Sequence, residues 1–372
     1  MPRPLAGYKV LDLSRILAGP LAAQLLADLG AEVIKVEPPS GDPSRNWGPP
    51  FEEGGDRESA YFRCANRGKK GIVLDFSNPV DLRRLITLLG EADAVLENFL
   101  PDSAEKHGLT WDRLHARFPK LIVASIRGFA SDVPAARRAG YDFIAQAESG
   151  WMSLTGEPDD RPLKTGTALA DLLCGLYAAN GLQAALLHRE RTGEALHVEV
   201  PLFEAALSGL LNVASGALMT GEAPTRRGNA HPNIVPHQTF ACLGGEVALG
   251  VGSDRQFEVL ALWLGLDLEA EPQWRTNPGR VRDRQRLEPL LETRLASLRA
   301  EEVLDFCATH AIPAGRVRSV EDALFHQAGT LHRLIQPLYD PATGGIIPLL
   351  ASPLLLDSQR ACAALPPPRW ER

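Results

Sequence analysis

The sequence predicts an α/β protein: a Rossmann-like large domain with a mostly parallel sheet, and a smaller α+β domain. Three observations carry this. Short apolar runs alternate with helical patterns through the first half of the chain, as strands joined by crossover helices do. That alternation stops after Gly221, where residues 239–242 and 246–250 flank Leu243-Gly244-Gly245 in a hairpin pattern. At 372 residues the chain is also long enough for two domains. The expected division is a large α/β domain over 1–200, a linker helix over 201–220, the small domain over 221–325, and a linker with a C-terminal return over 326–372.

Each element has its own signal. YKVLDL at 8–13 is a buried-strand run, and Gly19-Pro20 marks the turn after it. Residues 21–29 read as a helix with Leu25, Leu26 and Leu29 on one face, stopped by Gly30. EVIKVE at 32–37 is a second strand. A β-α-β unit of this size implies a right-handed parallel crossover. Ligands of such folds are met at the carboxyl ends of strands. No GxGxxG is present, which disfavours a dinucleotide grip. Residues 38–55, rich in Pro, Gly and Asp, form a long loop. Further strands are expected at 71–76, 94–98, 121–127 and 197–201, with helices at 79–89, 109–117 and 203–219. The small domain adds helices at 254–264, 280–298 and 300–310 and a strand at 313–317. Apolar runs at 346–350 and 354–356 return to the first domain.

Composition removes several function classes. A net charge of −7 argues against an electrostatic grip on nucleic acid or an anionic membrane. Five scattered cysteines without CxxC read as reduced thiols of a cytoplasmic protein. There is no HExxH, and His231 and His237 are a weak pair, so no metal is expected. No leader pattern and no run long enough to span a bilayer is apparent. GxSxG and P-loop signatures are missing as well.

The stretch 165–194 organises the rest. Between Ala168 and Leu187 only Asp171, Asn180 and Gln183 are neither apolar nor small. A helix apolar on nearly all sides is a buried one. Its single early carboxylate, Asp171, is costly to bury without a partner or a task. The unpaired amides and positive end of the helix favour it, and service as an N-cap is the plain alternative. Loop residues at strand ends complete the candidate set: Arg15, Asp42, Arg45, Lys69, Lys70, Asn98, Lys106, Arg138, Tyr141 and Asp142. The bases suit phosphates, or else form a solvated rim.

Together, six stretches resemble the family III CoA-transferases (the CaiB/BaiF family), which also include the α-methylacyl-CoA racemases. They are VLDLSRILAGP at 10–20, LGAEVIKVEPPSGDPSR at 29–45, NRGKKGIVLDF at 66–76, VLENFLP at 95–101, GYDFIAQAESG at 140–150 and ALADLLCGLYAA at 168–179. The resemblance covers essentially the whole chain. It implies a homodimer of two interlocked chains. Asp171, with Tyr141 and Asp142, would be catalytic. Ile16, Leu17, Pro38, Lys69, Asn98, Phe99 and Lys106 would hold coenzyme A, the substrate carrier. Pro38 stands where an arginine can pack on adenine, and Leu17 where the formyl-CoA enzymes have a polar residue. The implied partners are an acyl-CoA, with succinyl-CoA the favoured donor, and a small carboxylic acid such as glutarate. In the racemases a histidine precedes the aspartate of the Gly-X-Asp motif. Tyr141 replaces it, and a phenol is a poor base for work near neutral pH. Transferase is therefore the leading expectation and racemase the alternative. Formyl-CoA transferases carry a glycine run where this chain has His231-Pro232-Asn233, so oxalate and formate are not expected substrates. His231 and Asn233 either position a substrate or shape the loop.

Overall fold

The computed structural model describes residues 3–52, 58–326, 334–341 and 343–370. The end of the expected 38–55 loop and the first part of the expected 326–372 linker lie outside the described residues. Six parallel strands form the main sheet: β1 (Lys9–Asp12), β2 (Glu32–Glu37), β3 (Lys69–Val73), β4 (Ala94–Glu97), β5 (Ile122–Arg127) and β6 (His197–Pro201). Their order is β3-β2-β1-β4-β5-β6. The order reverses between β1 and β4, and such a switch point opens a crevice at the carboxyl ends of the strands.

The helices of this half are α1 (Ala18–Asp28), α2 (Ala60–Arg63), α3 (Pro79–Glu91), α4 (Pro101–His107), α5 (Trp111–Arg117), α6 (Asp142–Glu148), α7 (Trp151–Leu154), α8 (Leu169–Thr192), α9 (Leu202–Ser208) and α10 (Leu211–Thr220). Both sheet faces are covered. Val10, Leu96 and Ala124 pack with α1 and α8, while their strand neighbours Leu11, Val95 and Val123 pack with α3. This period-two alternation between two buried faces explains why the strands read as nearly continuous apolar runs.

Strand β3 begins at Lys69, two residues before the expected 71. Lys69 points inward and Lys70 outward, and two lysines hide a strand start from a hydrophobic pattern. The single helix expected at 203–219 is two, α9 and α10, bent by 78°. Contrary to the expectation from the sequence, α8 is long and apolar enough to cross a membrane by length and composition alone, as buried core helices also are. It is also not buried all round. Ala170, Cys174, Ala178 and Leu182 enter the core. Leu172, Leu176, Tyr177 and Leu187 remain 39–51% exposed. Gly175 lets it approach α1, since a Cβ there would sit 2.8 Å from the Ala18 carbonyl oxygen.

The chain divides into two compact units. The larger takes Met1–Met152, Lys164–Glu222 and Gly329–Arg372. The second takes Ala223–Ala328 and also Ser153–Leu163, a segment that the sequence placed in the large domain. In it β7 (His237–Cys242), β8 (Gly245–Gly250) and β9 (Ala314–Arg316) form an antiparallel sheet. Its helices are α11 (Asp254–Trp263), α12 (Asn277–Arg282), α13 (Arg284–Ala296) and α14 (Ala300–Thr309). The helix expected at 280–298 breaks at Asp283, whose carboxylate accepts the Trp274 indole N–H at 2.7 Å.

Candidate active site

A cavity of about 260 Å³ lies at the carboxyl ends of β1, β4 and β5. Its walls include Arg15, Ile16, Leu17, Asn98, Phe99, Tyr141 and Asp171. A second cavity of about 250 Å³ shares Arg15 and Phe99 with it and adds Pro38, Phe76 and His107. Five of the seven residues expected to hold coenzyme A, all but Lys69 and Lys106, thus border one or both cavities.

The loop after β1 is fixed by side chains. Asn98 accepts the Arg15 N–H at 3.0 Å and donates to the Arg15 carbonyl at 2.9 Å. Both polar atoms of Asn98 thereby grip the Arg15 backbone, leaving one N–H of its amide beyond this clasp. Ile16 has φ +75°, a left-handed conformation unusual for a β-branched residue. Helix α1 starts directly after Leu17 and has no side-chain cap.

Asp171 is the third residue of α8, and its N-cap position is Ala168. Asp171 is therefore not the cap. That service comes from Asp142, whose Oδ1 accepts from the amides of Ala170 at 2.8 Å and Asp171 at 3.4 Å. Its Oδ2 accepts from Gln146 Nε2 at 2.7 Å, and Gln146 Oε1 accepts the Thr165 N–H at 2.9 Å. Asp142 thus sets the end of the helix on which Asp171 rides, but does not line the cavity. The Asp171 carboxylate accepts no hydrogen bond among the described residues. Burial first, then the charge of Asp142, push it up to about 7.

Gly140 explains how Tyr141-Asp142 is placed. A Cβ on Gly140 would fall 2.3 Å from the Cα of Gly128, so the two backbones touch where only glycines fit. Tyr141 follows, half-exposed on the cavity wall.

Two expected residues are elsewhere. Lys69 is buried, and its Nζ donates to Asp12 Oδ2, the Pro20 carbonyl and Asn66 Oδ1, each at 2.8 Å. All three ammonium hydrogens are used, so it has none to offer a ligand. Burial is the largest of the effects that pull it down to about 8. Lys106 is exposed in the last turn of α4 and borders neither cavity. Arg45 is also spent, on Glu37 and Glu58. Arg138 does line the first cavity while paired with Glu148.

Tyr61 is a residue that the sequence did not single out. Burial, then the charge of Asp171 with smaller effects of Cys64 and Asp142, push its hydroxyl up to about 12, which places it in the electrostatic field of the site. No local pattern marks it, because its helix is four residues long. In the second unit, the Asn233 N–H donates to His231 Nδ1 at 3.1 Å and Arg284 donates to the His231 and Pro232 carbonyls, which shapes that loop locally. Among the described residues no group of three or more His, Cys, Asp or Glu is placed to hold a metal.

Known proteins are similar to this chain along nearly its full length. The model of CoA-transferase family III matches residues 5–372. A succinate–glutarate CoA-transferase of Agrobacterium fabrum is 40% identical over 374 residues, covering 99% of this chain and 92% of that one. A succinyl-CoA:glutarate CoA-transferase of Mus musculus is 38% identical over 347 residues, covering 92% of this chain and 79% of that one. The crystal structure of a CAIB/BAIF family protein from Brucella suis matches with a TM-score of 0.86 at 40% identity, covering 99% of this chain and 97% of that one. With a full-length family match, near-complete coverage of relatives and the same fold, the chain belongs to CoA-transferase family III.

Proposed function

We propose that this enzyme moves CoA from an acyl-CoA to a carboxylic acid, with Asp171 as the nucleophile. The observation that carries the reading is a carboxylate with no partner on a cavity wall, at the start of an apolar helix. An ionised, poorly hydrated carboxylate is a competent nucleophile. Its attack on the thioester carbonyl forms a mixed anhydride and releases CoA thiolate. The thiolate then attacks the aspartyl carbonyl, releases the first acid and leaves an aspartyl–CoA thioester. The acceptor carboxylate attacks that thioester and the steps run in reverse, so that Asp171 is regenerated. Amides at helix ends are suited to the developing oxyanions. Asp142 keeps the nucleophile's helix end in place, and Tyr141 walls the cavity.

The CoA moiety is assigned to both cavities, along Ile16, Leu17, Phe99 and Pro38, with Asn98 acting through Arg15. Lys106, beside His107 of the second cavity, is offered to a phosphate at the rim. Lys69 is left out of this set. Two relatives are named for succinate or succinyl-CoA and glutarate, which supports succinyl-CoA as donor and a dicarboxylate as acceptor. Five free thiols fit a reducing compartment, and we place the enzyme in the cytoplasm.

We also propose a homodimer. Helix α10 is apolar yet buries no residue, with Leu218 and Met219 88% and 87% exposed. The open side of α8 adds Leu176 and Tyr177. Apolar surface on this scale is normally covered by a partner.

Intact-protein mass after incubation with succinyl-CoA tests the chemistry. A hydroxylamine-labile adduct of CoA mass is expected on wild type and not on Asp171→Ala. Equal labelling of both proteins would remove Asp171 from the role.

A further inference from the structure

We infer that Asp42 is a positioning residue for this reaction: through a buried ion pair with Lys35 it holds Ile16 in its left-handed conformation and so sets Arg15 between the two cavities. The inference rests on the function proposed above, since it concerns how that site is held.

Three successive residues after β1 are gripped by side chains and not by secondary structure. The Ser14 carbonyl accepts from Lys35 Nζ at 2.9 Å. Arg15 is clasped on both backbone atoms by Asn98. The Ile16 N–H donates to both Asp42 oxygens at 3.2 Å. Asp42 also accepts from the Ser44 N–H at 3.0 Å and the Ser44 hydroxyl at 2.7 Å. Its ion pair with Lys35 is 3.0 Å long, and neither side chain meets solvent.

Among the described residues every group bonded to the Asp42 carboxylate is a donor, and that explains the residue type. An asparagine has one acceptor oxygen, and its NH₂ would be turned toward an ammonium or an amide hydrogen. A left-handed β-branched residue persists only where its surroundings over-determine it. Here they do, from three directions.

The consequence lies in the cavities. Arg15, Ile16 and Leu17 share the first cavity with Asp171, and Arg15 also borders the second. The Arg15 guanidinium lies 5.9 Å from the Phe99 ring and makes no ion pair or hydrogen bond among the described residues. A guanidinium left free on a rigid backbone suits an anionic group of the substrate.

The test compares wild type, Asp42→Asn, Arg15→Ala and the double variant. It measures kcat and KM for transfer from succinyl-CoA, and Kd for CoA by calorimetry. Asp42→Asn is expected to raise KM and Kd about tenfold while kcat changes less than about threefold. Asp42 acts through Arg15, so adding Asp42→Asn to Arg15→Ala is expected to cost little further affinity. A variant that melts earlier but keeps wild-type KM and Kd would overturn the inference, as would a double variant with simply additive losses. Should Asp42→Asn not fold, Lys35→Met with Asp42→Asn removes both buried charges together and is read the same way. Wild type that binds CoA without transferring it would overturn the proposed function alone, leaving Asp42 to be judged on Kd. Wild type that does not bind CoA would overturn both.

Discussion

Asp171 and Asp42 are two withdrawn carboxylates of the same unit, driven in opposite directions by their surroundings. Burial raises both. At Asp42 the charge of Lys35 and the Ser44 hydrogen bonds outweigh it and hold the carboxyl below its ordinary range. At Asp171 nothing opposes burial, and Asp142 adds a like charge, so the carboxyl rises to about 7. A satisfied carboxylate builds structure. An unsatisfied one stores the electrostatic cost that a nucleophile releases on reaction. The difference between the two lies in what stands within a few ångströms, not in the residue.

The largest expected effect breaks this contrast at its functional end. Asp171→Ala should lower kcat by more than about 10³-fold in a CoA-exchange assay, since no neighbouring carboxylate on the cavity wall replaces it. Next comes the geometry between the two glycines. Gly140→Ala brings a methyl to 2.3 Å from the Gly128 backbone. It should cost about 1–3 kcal/mol in chemical denaturation and reduce transfer by displacing Tyr141 and Asp142.

Stability against pH sharpens the comparison further. The native pKa of Asp171 is raised above its unfolded value, so the native state binds the extra proton and stability falls as pH rises from about 4 to about 7. Asp171→Asn should therefore raise stability by roughly 2–4 kcal/mol at pH 8 and change it little at pH 4. Asp42 has the opposite sign. Its lowered pKa contributes stability that is present above the unfolded value and lost as pH falls through the native one. Asp42→Asn should thus destabilise at neutral pH and do so less in acid. Equal effects of the two substitutions at every pH would show that the two environments do not differ as described.

The smallest effect is the most diagnostic. In the mechanism proposed above Asp171 works ionised, so kcat/KM should rise with pH and level off above about 7. Asp142→Asn keeps an acceptor for the α8 amides and removes the like charge, so that inflection should move to lower pH. An unmoved profile would mean that burial alone sets the Asp171 pKa.

The sequence by itself determined the mixed α/β class, the six strands and the family. Strand periodicity, helix stops such as Gly30 and six ordered motifs are local signals that survive without coordinates. It also marked Asp171, because one acid at the start of an apolar helix is conspicuous in one dimension. What each polar neighbour does was decided only by the tertiary structure. Lys69 and Asn98 look like free ligand donors in the sequence, yet Lys69 is consumed by Asp12, Pro20 and Asn66, and Asn98 clasps the Arg15 backbone. Asp142 caps a helix 28 residues away. Tyr61 enters the field of Asp171 from a four-residue helix with no pattern of its own. Helix α8 reads as apolar on nearly all sides, but only one face of it enters the core. Hydrogen bonds and charges act across space over a few ångströms, and the chain separation of such pairs, 83 residues for Arg15 and Asn98, leaves no periodicity for a linear reading to detect.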